Sequence, residues 1–238
     1  MSGPVRILFI PLEFSTWQKA RHLSYGSQLA LEEGLQAAGV DYLPVPAVCD
    51  ASCVEANPRI VSPWLMRLKG LCAGRTFDQV WIELAHSNYD ELFLEWISDL
   101  APVRVGFLGE SLSYSDEVLR QCPVLKTRAA LIMTRLRYVT HALFADEKDA
   151  DKVTMSTPDL KADFYFSPVP GRILSEDPGP ARSLHGVFMG AVYGERANWL
   201  SHPALRGLLE GRVSPEAGSE YPALFDQLNS RCHQYLTS

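Results

Sequence analysis

Short runs of β-branched and aromatic residues alternate with helical patterns along most of this chain, and that alternation constrains the fold more than any other feature. A strand, a crossover helix and a second strand pair most simply in parallel, so the expectation is an α/β protein built on a parallel sheet. VRILFI, residues 5–10, is almost continuously apolar, as a strand buried on both faces should be. YGSQLALEEGLQAAG then sets Leu31, Leu35 and Ala38 on one helical face and stops at Gly39, a residue suited to the left-handed position that ends a helix. VDYLPV reads as the second strand, FDQVWIEL as the third, ending near Leu84, and VRVGFLG as the fourth. YDELFLEWISDL between them carries Leu92, Trp96 and Leu100 at helical spacing. HALFA and DFYFSPV are expected as the fifth and sixth strands, separated by DEKDADKV, whose acids suit a helix N-terminus.

Composition narrows the class. With 47% apolar residues in 238 there is ample material for a buried core. The formal charge of −6, from 22 basic and 28 acidic residues, creates no global field that would gather nucleic acid, so any basic site must be local. The sequence holds no apolar run long enough to span a bilayer, and the N-terminal MSGPVRILFIPLEF is apolar too early and too briefly for a signal peptide. The expectation is a cytoplasmic protein. Its five cysteines have no paired C-x-x-C spacing, which suggests neither a disulfide framework nor a metal site.

PVPGRILSEDPGP, residues 168–180, interrupts any regular element and is the best candidate linker. The sequence therefore divides into a Rossmann-like domain over 1–170, a linker over 171–183 and the start of a second α/β domain over 184–238. The second part begins HGVFMG as strand, AVYG as turn and ERANWLSHPALRGLL as helix, with a break expected at Pro203; YPALFDQLNSRCHQYL reads as one more helix. A strand, a glycine turn and a helix N-terminus offer free N–H donors and partial positive charge to a phosphate, and Gly190, Tyr193, Gly194 and Arg196 fit that demand. The plain alternative is a crossover that happens to turn on glycines.

A first α/β domain, a linker and a second strand-turn-helix start resemble a GT-B-type glycosyltransferase of the bacterial group whose second domain opens with a strand, a glycine and Y-x-E-R. The segments that carry the resemblance are VRILFI and EEGLQAAGVDYLPVP, FDQVWIELAH, VRVGFLGES and GVFMGAVYGERANWL. It implies an acceptor-side lobe followed by a nucleotide-sugar lobe of which only the beginning is present in this sequence. It also implies transfer from a nucleotide diphosphate sugar to a sugar, lipid-linked or protein acceptor without a bound metal or other cofactor. Arg196 and the helix N–H groups would then neutralise the diphosphate. A non-catalytic sugar- or nucleotide-binding partner protein is the alternative from a different class.

Ligands of open α/β sheets bind outside the strands' carboxyl ends, which directs attention to three loops. PLEFSTWQKARHLSYG, after the first strand, offers Ser15, Thr16, Lys19 and Arg21 for an acceptor and His22 as a general base, unless His22 only flanks the helix. Glu83 and His86 follow the third strand, with His86 the preferred base; its structural alternative is a polar residue ahead of a helix capped by Ser87 or Asn88. Glu110 follows the fourth strand. GESLS there approaches the nucleophile elbow of α/β-hydrolases, an esterase reading weakened because His141 precedes Asp146 and starts a strand. Finally, residues 125–138 place Lys126, Arg128, Arg135 and Arg137 on a basic amphipathic helix, either a weak membrane-surface contact or a solvated face.

Overall fold

Alternation along strand β1 (Arg6–Ile10) divides its side chains between two cores. Ile7 and Phe9 pack with Leu35 and Phe107 on one side of the sheet, while Leu8 and Ile10 enter a larger cluster with Val80, Ile82, Phe93, Ile132 and Val153 on the other. The computed structural model describes residues 4–14, 26–45, 47–49, 58–85, 89–109, 111–165, 184–189, 200–205, 209–213 and 232–237. The chain divides into two compact units, Met1–Tyr114 with Val124–Leu174, and Ser115–Pro123 with Ser175–Ser238.

In the first unit β1 is joined by β2 (Leu12–Phe14), helix α1 (Gly26–Ala37), β3 (Asp41–Pro44), β4 (Ala47–Cys49), α2 (Pro58–Cys72) and β5 (Gln79–Glu83). Then come α3 (Glu91–Leu100) and β6 (Val103–Leu108). After α4 (Asp116–Gln121), which groups with the second unit, follow α5 (Pro123–Arg135), β7 (His141–Phe144), α6 (Glu147–Ser156) and β8 (Lys161–Phe164). Six strands form one sheet in the order β3-β1-β5-β6-β7-β8, every neighbour parallel. This is the expected Rossmann-like parallel α/β sheet. The chain moves from β1 to β3 in one direction and from β5 onward in the other. Right-handed crossovers then require α1 on one face and α2, α3, α5 and α6 on the other. Leu31 and Leu35 of α1 accordingly line one core, and Leu68, Phe93, Ile97, Ile132 and Val153 line the other.

Two details differ from expectation. The sixth strand starts at Lys161, two residues before DFYFSPV, and β2 pairs in parallel with β4 as a separate two-stranded extension. Elsewhere local signals suffice: Gly39 at φ 65° ends the turn after α1, and Asp90 caps α3 by accepting from the Phe93 amide at 2.8 Å.

The second unit centres on β9 (Leu184–Met189), flanked in parallel by β10 (Leu209–Val213) and β11 (Cys232–Thr237). β9 lies where HGVFMG predicts it. The two long helices expected after it are corrected: the first gives way at His202 to a short 3-10 turn, Pro203–Leu205, and Leu209 already belongs to a strand, while Cys232–Thr237 is a strand rather than the end of a helix. Pro203 lacks the N–H a continuing helix requires. A short apolar run such as QYL fits either period, and pairing to β9 decides it.

Candidate functional site

Strand order reverses between β1 and β5, and in an open parallel sheet that reversal opens a crevice outside the strands' carboxyl ends. Because all six strands are parallel, the loops that leave β1, β5 and β6 start from one rim, as the sequence suggests for the stretches beginning near Phe14, Ala85 and Gly109.

Beyond β5 the chain is gripped by buried charge. Glu83 is only 2% exposed, and its Oε1 accepts the Ala85 amide at 2.7 Å, so the carboxylate turns the backbone directly after the strand. Arg135, the last residue of α5, is equally buried. Its Nη1 donates to the Leu84 carbonyl at 2.6 Å, its Nη2 donates to the Tyr89 carbonyl at 3.4 Å, and the guanidinium lies 5.5 Å from the Tyr89 ring centroid. Tyr89 in turn stacks on Phe93 at 4.7 Å and packs on Trp64 at 5.9 Å. A guanidinium in a dry interior is tolerated only when hydrogen-bonded, and a planar fork can serve two carbonyls at once.

Beyond β6 a carboxylate performs the same task. Asp149, in the first turn of α6 and fully buried, accepts the Leu112 amide and the Ser111 hydroxyl (3.0 Å) on Oδ2, and the Ser113 hydroxyl on Oδ1 at 2.7 Å. Asp146, the N-cap of α6, accepts the Lys148 amide at 3.0 Å on Oδ1 and presents Oδ2 to Ser111 at 3.3 Å. Three consecutive residues of one loop are thus tied to the start of the helix that follows the neighbouring strand.

Of the residues proposed from sequence, Glu83 is at this rim. Ser15, Thr16, Lys19, Arg21, His22, His86, Glu110, Gly190, Tyr193, Gly194 and Arg196 lie outside the described residues. The hydrolase reading loses its base: Ser111 is held by two aspartates at the carboxyl rim, whereas His141 opens β7 at the amino rim, in register with Val105 and Lys161. Burial, and after it the Lys161 charge, hold the His141 pKa below 6.5. The basic residues of 125–138 divide between interior and surface. Arg135 points into the core, and Arg137 pairs with Glu91 and Tyr138, so two of its four basic residues are committed within the protein.

Sequence reasoning missed Arg135 and Asp149 as organising residues, although a signal existed for each. Leu125, Ile132 and Arg135 are the buried residues of α5 and share one helical stripe; Asp149, Ala150 and Val153 are those of α6. A charged residue inside an apolar stripe marks a buried polar junction.

At the opposite rim, Arg6, Asp41, Arg75 and Thr76 line an open cleft of about 170 Å³. Arg6 there is already bound to Asp78 and Thr76, and helix N-termini of a parallel sheet face the other rim. The carboxyl rim is therefore the candidate site. Among the described residues no group of three or more His, Cys, Asp and Glu is arranged to hold a metal ion. No model of a known protein family matches the chain, and a search of curated proteins finds no match to it.

Proposed function

We propose that the protein is a glycosyltransferase that moves a sugar from a nucleotide diphosphate sugar to an acceptor bound at the carboxyl rim of the six-stranded sheet. The observation that carries this reading is the reversal between β1 and β5, with the donor-rich stretch after β1 and the Glu83–His86 stretch after β5 leaving the sheet on either side of it. In this reading Ser15, Thr16, Lys19 and Arg21 hold the acceptor, and His86 takes the proton of the attacking hydroxyl, with His22 the second candidate. Glu83 and Glu110 are the further acid-base candidates, to which the role passes if neither histidine carries it. As the acceptor oxygen bonds to the anomeric carbon, the bond to the diphosphate breaks. The departing nucleotide carries off negative charge, and in this reading Gly190, Tyr193, Gly194 and Arg196 are the residues that neutralise it, Arg196 through its guanidinium.

The test is release of nucleoside diphosphate from a panel of nucleotide diphosphate sugars, with calorimetric titration of the free nucleoside diphosphates alongside. His86→Ala should slow turnover about 100-fold. Arg196→Ala should weaken nucleotide binding about tenfold or more, as loss of a charge-assisted hydrogen bond implies. Binding without turnover would favour the non-catalytic nucleotide-binding reading, and neither binding nor turnover with any of the panel would end the proposal.

A further inference from the structure

We infer that Arg135 is a positioning residue for the site: it ties the Leu84 and Tyr89 carbonyls, the two ends of the stretch that leaves β5 at the strand-order reversal, an inference that rests on the reading of the carboxyl rim as the ligand site. One side chain reaches 51 residues back in sequence to Leu84 and 46 back to Tyr89, and it binds carbonyls on either side of the segment that holds His86, Ser87 and Asn88. A buried cation is a poor means of gaining stability, because an apolar side chain of the same volume packs as well without a desolvation penalty. What the guanidinium adds is geometry. Its nitrogens lie in one plane at fixed angles, so Leu84 O and Tyr89 O are held at a set separation, and the Tyr89 ring beside it fixes the far end against Phe93. Glu83 Oε1 on the Ala85 amide fixes the near end independently. Lysine in this position would keep the charge and lose the fork.

Arg135→Lys and Arg135→Met in the full chain test the assignment by hydrogen–deuterium exchange of peptides covering residues 84–90, compared with peptides from β6 and α6. A clamp predicts exchange in 84–90 at least tenfold faster in Arg135→Lys, with β6 and α6 unchanged. Should Arg135→Met fold poorly, the lysine variant decides alone. A uniform rise across all these peptides would make Arg135 merely part of the core, and an unchanged 84–90 peptide would remove the clamp; either overturns the inference. In the donor-turnover assay the lysine variant should lose at least tenfold in kcat with KM for the nucleotide sugar held. Wild-type protein inactive on every donor would count against the glycosyltransferase reading, while the exchange result would still decide the clamp.

Discussion

Replacing Asp149 by alanine removes the acceptor for three donors at once, and the structure lets the loss be apportioned. Leu112 is 8% exposed, so its amide is left buried without a partner, at a cost of about 1–3 kcal/mol. Ser111 keeps Asp146 Oδ2 at 3.3 Å and Ser113 turns to water, so each hydroxyl loses about 0.5 kcal/mol. Alanine's better helix propensity and the lost favourable charge in the first turn of α6 roughly cancel, each being on the order of 0.5 kcal/mol. The total is about 3 kcal/mol. Asp149→Asn would behave differently: the amide carbonyl still serves Leu112 and Ser111, and the amide nitrogen donates to a Ser113 hydroxyl that rotates to accept, for about 1 kcal/mol. Urea denaturation followed by tryptophan fluorescence reads both variants. Asp149→Ala within about 0.5 kcal/mol of wild type, or Asp149→Asn as costly as alanine, would show that the loop is held by something other than this carboxylate.

Three further outcomes are expected. Gly106→Ala would drive its methyl group into Leu84 Cδ1, with Leu84 Cγ at 3.2 Å and Val139 Cγ1 at 3.4 Å, costing about 1–3 kcal/mol and displacing the carbonyl that Arg135 holds; urea midpoints and exchange at 84–90 check both effects. His141 keeps a pKa below 6.5 when folded, so the unfolded chain takes the proton first: its stabilising contribution is complete above that value and is lost as pH falls through the window beneath it. His141→Gln should flatten the stability profile on the acid side of the ordinary histidine range, and an unchanged slope there would remove His141 as its source. Asp90→Ala should destabilise by about 1 kcal/mol through loss of the α3 cap, measurable as a lower melting temperature, with no change expected if water replaces the cap freely.

The alternation of apolar runs and helical faces determined the α/β class and, to within a few residues, every strand from Arg6 to Phe164 in the main sheet. These features rest on spacing between near neighbours: VRILFI must be buried on both faces wherever it goes, and Asp90 caps its own helix. Local spacing could not choose the neighbours of β1, and the candidate crevice follows from that choice, since only the packed sheet places β3 on one side of β1 and β5 on the other. Nor could spacing decide QYL, whose apolar content suits a helix until β9 offers an edge to pair with. Arg135 shows the same division most sharply. On a helical wheel it is one of several basic residues, but once α5 lies over the sheet its guanidinium meets two carbonyls that the chain made about fifty residues earlier. Hydrogen bonds that span such distances, including the 37 residues between Leu112 and Asp149, exist only after the strands have found their order, so the rim's polar framework belongs to the tertiary structure.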